Sequence, residues 1–169
     1  MIVAIDPGRT TALVARDGDR LAGTALLEGL DLTGPDLARS IDAVVLAAGD
    51  LIQTHRAGLL AVEGAVAPTP YNRGKVRITD PAPIIGTAHL VGALVAVGAI
   101  IIAPGGHGDK IPAGTPPKAA REILHKLYPP DLIGPRETTG RGKSPRQHLR
   151  AAWDVAYVAQ VHARSRKIT

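Results

Sequence analysis

Two short apolar runs, each ended by an acidic residue, constrain the fold of this chain more than any other feature. Residues 2–5 are followed by Asp6-Pro7-Gly8, and residues 59–62 are followed by Glu63-Gly64. A short apolar run with turn-forming residues behind it is typical of a buried parallel strand. Ligands of open α/β sheets gather at the carboxyl ends of such strands. If the two strands are neighbours, their carboxylates lie side by side and repel each other unless a cation separates them, so the pattern predicts a divalent metal site.

The length and composition favour one globular domain. The chain has 169 residues, of which 45% are hydrophobic, so we expect a single core over residues 1–169 and no extensive disorder. It has no cysteine, which excludes disulfides and thiolate metal sites and leaves oxygen or histidine ligands. The N-terminus starts directly with an apolar run and lacks a basic segment. We therefore expect no signal peptide and a cytoplasmic protein.

The positive charge is concentrated in the second part of the chain. The formal net charge is +5; residues 1–100 carry 8 basic and 10 acidic residues, whereas residues 101–169 carry 12 basic and 5 acidic residues. A basic region beside a carboxylate site suits a polyanion held through its phosphates. The alternative is ordinary solubilising charge with a basic tail at residues 164–167.

Apolar periodicity and turn-forming residues predict a mixed sheet with crossover helices. The expected order is three strands, a helix, a strand, a helix, a strand and two helices. This order indicates an α/β fold. The predicted strands are residues 2–6, 11–15, 21–27, 59–63 and 99–103, and the predicted helices are residues 37–55, 82–97, 118–127 and 145–162.

An uncharged stretch at residues 84–103 allows a second interpretation, because it is long enough to span a membrane. Gly86, Gly92 and Gly98 interrupt this stretch, and His89 lies within it. Gly98 is a suitable helix stop before a run of β-branched residues. We therefore favour a helix followed by a strand.

A third acidic residue, Asp154, lies in the last predicted helix among apolar neighbours. A buried carboxylate is costly unless it is paired or bound to a metal, so Asp154 is a candidate ligand beside Asp6 and Glu63. Three carboxylates can hold two Mg²⁺ ions, which activate a water and stabilise the leaving oxygen in phosphodiester hydrolysis. Simpler roles stay open: Asp6 as a turn residue, Glu63 as an ordinary strand end, and Asp154 as the partner of Arg150 four residues earlier.

In these three regions the chain resembles RuvC-type Holliday-junction resolvases, above all those of bacteriophages. The similar motifs are Ile2-Val3-Ala4-Ile5-Asp6-Pro7-Gly8, Ala61-Val62-Glu63 and Asp154-Val155-Ala156-Tyr157-Val158-Ala159. The resemblance implies a ribonuclease-H-like fold, in which helices flank a mixed five-stranded sheet. It also implies that Asp6, Glu63 and Asp154 bind Mg²⁺ or Mn²⁺. The expected assembly is a homodimer that nicks two opposed strands of a four-way DNA junction, in the host cytoplasm for a phage protein.

The chain departs from the family pattern at two positions. RuvC-type enzymes usually have a further acidic or histidine ligand three residues before the last aspartate, and this position is Ala151. The nearest candidate is His148, about 120° around the helix from Asp154; an active-site role, a phosphate contact and a surface location all stay open for it. Related resolvases use an aromatic residue after the glutamate to wedge the junction, and Tyr71 is the candidate for stacking on a base.

Two basic clusters are candidates for binding the DNA backbone. Lysine and arginine contact phosphates without reading the base sequence, and the alternative for each cluster is a solvated charged surface. The candidate residues are Arg73, Lys75 and Arg77 in the first cluster and Lys143 and Arg146 in the second.

Four classes of function compete. A metal-dependent endonuclease for branched DNA is favoured, and an RNA-processing nuclease of the same fold is the nearest alternative. A non-catalytic junction-binding protein stays open because of Ala151. A phosphate-binding ATPase of the actin and sugar-kinase type is faintly suggested by the residues after Asp6, but that class needs two such domains and 169 residues leave no room for them.

Overall fold

A five-stranded mixed sheet forms the centre of the fold. The computed structural model describes residues 1–65, 71–72, 75–76, 80–103, 117–133 and 145–165. Its strands are β1 (Ile2–Asp6), β2 (Thr11–Asp17), β3 (Arg20–Leu27), β4 (Leu59–Glu63), β5 (Tyr71–Asn72), β6 (Lys75–Val76) and β7 (Ile100–Ile102). The main sheet has the order β3-β2-β1-β4-β7, in which β1 pairs antiparallel with β2 and parallel with β4. The remaining pairs are β2 with β3, antiparallel, and β4 with β7, parallel.

Helices cover both faces of this sheet. Within the described residues they are α1 (Leu37–His55), α2 (Ala82–Ala96), α3 (Pro117–Leu127) and α4 (Pro145–Ser165), and a 3₁₀ turn spans Pro130–Leu132. Successive residues of a strand point to opposite faces. Val3 and Ile5 of β1 therefore join the core formed with α1 and α2, whereas Ala4 joins the core formed with α4.

Helix α4 lies close to the sheet because its inward positions are mostly small. Ala152, Ala156 and Ala159 are fully buried, and Trp153 is 4% exposed. The helix begins at Pro145, whose fixed φ and missing N–H suit the first helical position. α4 runs from the carboxyl end of β1, where His148 contacts Asp6, towards its amino end, where Trp153 contacts Arg16.

A tight hairpin joins β2 to β3. Gly18 has a φ of 59°, which lies in the left-handed region that glycine adopts without penalty. Nε of Arg16 donates a hydrogen bond to the carbonyl oxygen of Gly18 at 2.6 Å. Because only two residues lie between the strands, both extend beyond the predicted bounds of 11–15 and 21–27.

The α/β class and the predicted order of the main strands and helices are confirmed. Three short elements were not predicted: the strands β5 and β6, which pair antiparallel, and the 3₁₀ turn. None of the three is long enough to show a periodic apolar pattern. Helix α2 has 15 residues, and in the part of the chain that the structure describes no helix is long and apolar enough to cross a membrane.

Candidate active site

Asp6 and Glu63 end two neighbouring parallel strands at the same level. The register between β1 and β4 places them side by side at the carboxyl edge of the sheet, where adjacent strands are about 4.8 Å apart. Both face α4, because residues two apart share a face and Ala4 and Ala61 belong to the core on the α4 side. The two carboxylates therefore share one corner between the sheet edge and the start of α4.

The first turns of α4 bring His148 to Asp6. Nδ1 of His148 lies 2.8 Å from Oδ2 of Asp6. The two side chains are 24% and 15% exposed, so solvent reaches both. When Nδ1 carries the proton, it donates to the carboxylate and leaves Nε2 as an acceptor. A carboxylate held against one ring nitrogen in this way orients the imidazole.

A buried threonine stabilises the turn that follows Asp6. Thr11 is fully buried. Its Oγ1 donates to the carbonyl oxygen of Gly8 at 2.8 Å and accepts from the N–H of Gly8 at 3.1 Å. These bonds tie the turn after Asp6 to β2 and hold the carboxylate at the sheet edge. Sequence reasoning missed Thr11, although a threonine three residues after the glycine of a Pro-Gly turn was an available signal.

Asp154 lies away from this corner. Its Oδ2 accepts a hydrogen bond from the hydroxyl of Tyr128 at 2.9 Å, and it lines a pocket of about 330 Å³ that also includes Arg16 and Asp19. Burial lowers the pKa of the Arg16 guanidinium, and the carboxylates of Asp19 and Asp154 partly offset that effect. Asp154 is therefore surrounded by a phenol donor and a cation in a separate part of the molecule.

The structure does not bring Asp154 together with Asp6 and Glu63, and its role as a metal ligand stays a prediction. In the sheet, Arg16 pairs with the first residue of β1, four residues before Asp6, which is about 13 Å along the strand. Along α4, Asp154 follows His148 by six residues, which is a rise of about 9 Å and a rotation to a different flank of the helix. His148, rather than Asp154, is the α4 side chain that meets Asp6.

Ala151 occupies the flank of α4 near His148. It lies about 60° around the helix axis from His148 and is half-buried. Its methyl group offers no ligand, and Asp154 is the one acidic residue of the helix. Helix α4 therefore contributes an imidazole but no carboxylate to the corner.

The predicted nucleic-acid-binding residues are only partly described. Arg146 is exposed in the first turn of α4, two residues before His148. Tyr71 lies in β5 and Lys75 in β6, but the positions of these two side chains are outside the described residues. Three further candidates, Arg73, Arg77 and Lys143, also lie outside them.

Two solved structures share this architecture over almost the whole chain. RuvC of Thermus thermophilus in complex with a Holliday junction substrate has a TM-score of 0.51 and 16% sequence identity, covering 97% of this chain and 94% of that chain. A second Thermus thermophilus RuvC structure has a TM-score of 0.50 and 18% identity, covering 97% of this chain and 95% of that chain. The fold is that of RuvC. No protein-family model and no curated protein matches the chain.

The RuvC comparison confirms the predicted ribonuclease-H-like architecture, a mixed five-stranded sheet flanked by helices. At 16–18% identity it establishes the fold, while the residue assignments follow from the geometry of this chain. The corner formed by Asp6, Glu63 and His148 lies at the carboxyl edge of the two central strands of this RuvC fold. That edge is where ligands of α/β sheets bind.

The donor atoms at the corner suit a hard divalent cation. Asp6 and Glu63 offer carboxylate oxygens, which Mg²⁺ and Mn²⁺ prefer. Among the residues that the structure describes, no group of three or more histidine or acidic side chains is close enough to hold a metal ion by itself. Mg²⁺ is usually bound through one or two carboxylates, with waters and substrate phosphates as the other ligands. The two carboxylates of this RuvC-like corner therefore fit an ion shared with a phosphate.

Proposed function

We propose that this chain is a crossover-junction endodeoxyribonuclease, a metal-dependent enzyme that resolves four-way or other branched DNA junctions by paired phosphodiester hydrolysis. The observation that supports the proposal is the corner of Asp6, Glu63 and His148 at the edge of a RuvC fold. We infer that residues 1–169 form one nuclease domain, since β1, β4 and α4 all contribute to that corner.

The roles of the three side chains follow from their chemistry. Asp6 and Glu63 would hold Mg²⁺ or Mn²⁺, and the bound ion supplies positive charge that activates water and stabilises the departing oxygen. His148 is oriented by its bond to Asp6 and exchanges a proton at Nε2 with the reacting oxygens. Thr11, through its two bonds to Gly8, keeps the turn after Asp6 in place.

The charge distribution favours a polyanionic partner, and the RuvC comparison favours branched DNA as that partner. The RuvC of similar fold was solved with a Holliday junction substrate, and residues 101–169 of this chain carry 12 basic but only 5 acidic residues. Arg146 is exposed close to His148 in sequence and is suited to contact a phosphate. We assign further phosphate contacts to Arg73, Lys75, Arg77 and Lys143, and base stacking to Tyr71.

Junction binding is expected to weaken steeply with salt. Phosphate contacts release counterions, so raising the salt from 50 to 200 mM lowers the affinity by a factor on the order of 10³. Arg146→Gln should reduce the slope of log affinity against log salt by about 1. Arg39→Gln, at an exposed position of α1, is the matched control and should leave the slope unchanged. Fluorescence anisotropy of a labelled junction in EDTA measures both slopes, and a flat response of the unaltered protein would exclude nucleic acid as the partner.

A gel cleavage assay tests the proposed activity directly. It compares a synthetic four-way junction, a Y-branch, a linear duplex and single-stranded RNA, each with Mg²⁺, Mn²⁺ or EDTA. Paired symmetric nicks on the junction that disappear with EDTA would support the proposal, and cleavage of RNA alone would support an RNA-processing nuclease. Tight junction binding without cleavage would support a non-catalytic binder, the alternative favoured by Ala151 on the flank of α4 near His148.

We further propose that two copies of the chain pair through the outer face of α2. This helix has no aspartate, glutamate, lysine or arginine. Ile85 and Val95 are 52% and 39% exposed, and the adjoining Val97 and Ile101 are 55% and 57% exposed. Exposed apolar side chains on an element without charges are candidates for an interaction surface. In a chain with a formal net charge of +5, an uncharged face is where a second copy can pack without like-charge repulsion.

Val95→Glu is expected to convert the dimer into a monomer. A two-fold interface repeats each residue on both copies, so the substitution would bury two unpaired carboxylates. Leu46→Glu, at a 69% exposed position of α1, is the matched control and should leave the dimer intact. Sedimentation equilibrium measures the mass of each protein in solution. A monomeric unaltered protein, or equal effects of both substitutions, would contradict pairing through α2.

A further inference from the structure

Asp154 is part of a cluster that ties α4 to its neighbours. The hydroxyl of Tyr128, the residue after α3, donates to Oδ2 of Asp154 at 2.9 Å. The Arg16 guanidinium from β2 lines the same pocket as Asp154, and the opposite charges attract. Cζ of Arg16 lies 4.0 Å from the centre of the Trp153 ring, and its Nη1 donates to the Trp153 carbonyl oxygen at 3.4 Å. At residues 153–154, α4 is therefore held between β2 and the end of α3.

A second set of contacts lies one turn closer to the corner formed by Asp6, Glu63 and His148. Arg150 is 1% exposed, and its Nη1 donates to the carbonyl oxygen of Leu132 at 3.0 Å. Cζ of Arg150 also lies 5.7 Å from the ring centre of Tyr128. Tyr128 therefore contacts two side chains of α4, with its ring near Arg150 and its hydroxyl on Asp154. Arg150 in turn is only two residues from His148.

Hydrogen bonds and cation–π contacts are directional, so contacts of this kind restrict how far a helix can rotate about its own axis. The buried alanines of α4 make non-directional contacts with the sheet, which define a helix rotation less strictly than hydrogen bonds do. Side chains extend about 5–6 Å from a helix axis, so a rotation of about 30° would move a side chain by about 3 Å. A shift of that size is enough to break the 2.8 Å contact between His148 and Asp6.

We propose that Asp154 is a positioning residue rather than a metal ligand: together with Tyr128 it holds α4 in the rotation that places His148 against Asp6. A buried carboxylate needs hydrogen-bond and charge partners, and Asp154 has Tyr128 and Arg16. The predicted effect on turnover rests on the proposed nuclease function. The predicted coupling between Asp154 and Tyr128 does not depend on it.

A double-mutant cycle tests this role. Tyr128→Phe removes only the donor hydroxyl, and Asp154→Asn removes only the charge. Each should lower kcat for junction cleavage by about tenfold without changing KM, and the double variant should fall within about twofold of either single one. The Mn²⁺ affinity should stay unchanged in all three. Asp50→Asn makes the same chemical change at an exposed position of α1, outside this cluster, and should match the unaltered protein.

The outcomes separate positioning from metal binding. Loss of cleavage and of Mn²⁺ affinity in Asp154→Asn alone, with Tyr128→Phe unaffected, would make Asp154 a ligand and overturn the proposal. If the loss of kcat in the double variant equals the product of the two single losses, the two residues are not coupled and the proposal is wrong. If the unaltered protein cleaves no branched DNA, the proposed function fails. The same cycle, measured as urea unfolding midpoints together with Mn²⁺ affinity, still decides the role of Asp154 in that case.

Discussion

Asp6→Asn is expected to abolish metal-dependent junction cleavage while the fold and junction binding persist. Asparagine keeps the size of the side chain and an oxygen acceptor for Nδ1 of His148, which lies 2.8 Å from the present carboxylate. It removes the negative charge that a divalent cation requires. Because Asp6 serves both the cation and His148, the cleavage rate should fall at least about a hundredfold. Gel analysis of paired nicks measures the rate, and anisotropy measures binding.

The matched control for this experiment is Asp50→Asn, at an exposed position of α1. It makes the same chemical change outside the corner formed by Asp6, Glu63 and His148. This variant should cleave junctions at the rate of the unaltered protein. Undiminished cleavage by Asp6→Asn would exclude Asp6 from the reaction. Unfolding together with loss of binding would show that Asp6 has a structural role instead.

Gly86→Ala is expected to destabilise the protein by about 3 kcal/mol, a large effect for one methyl group. A Cβ built at Gly86 in α2 would overlap the carbonyl oxygen of Leu32. Helix α2 and the segment before α1 are therefore in direct backbone contact. For a chain of this length the loss corresponds to a decrease in melting temperature of roughly 10 °C, which thermal unfolding followed by circular dichroism measures.

The segment that carries Leu32 has little room to move away from a new methyl group. Leu32 is 2% exposed. The Asp31 carboxylate accepts hydrogen bonds from the N–H groups of Thr33 at 3.0 Å and Gly34 at 2.8 Å. On the other side, the N–H of Leu30 donates to the carbonyl oxygen of Arg9 at 2.9 Å. These bonds hold the backbone on both sides of Leu32, so α2 would have to shift instead.

Gly49→Ala in α1 is the control for the helix propensity of alanine. A Cβ at Gly49 would meet nothing within 4 Å, so alanine should stabilise the protein by about 0.5–1 kcal/mol through the helix backbone. The two substitutions are chemically identical and have opposite predicted signs. An unchanged melting temperature for Gly86→Ala would mean that the contact with Leu32 relaxes at no cost.

Local sequence patterns were sufficient for most of the fold. Apolar periodicity and turn-forming residues act over a few neighbouring positions, and they placed β1, β4 and α1 at the observed bounds. The hairpin of β5 and β6 was missed because each strand has only two residues. The ends of β2 and β3 were misjudged because the length of a hairpin loop is set by the pairing of both strands.

The roles of several residues around the site were not predicted from the sequence. Thr11 matters because it returns to Gly8 across the turn. Arg150 matters because its guanidinium meets the carbonyl oxygen of Leu132, and Tyr128 because it contacts α4 at two points. The Thr11 signal was local but was not used. The roles of Arg150 and Tyr128 depend on partners far away in the sequence, so their residue types alone could not reveal them.

The sequence by itself determined that two short buried strands end in Asp6 and Glu63, because strand burial and strand ends follow from adjacent residues. Only the tertiary structure decided which side chain of α4 joins them. His148 and Asp154 lie on the same helix about 120° apart, and both were candidates. The rotation of α4 selects His148, whose contact with Asp6 spans 142 positions of the chain. The rotation of a helix depends on every surface that packs against the helix. A local sequence pattern contains no information about those surfaces, so it cannot predict the rotation.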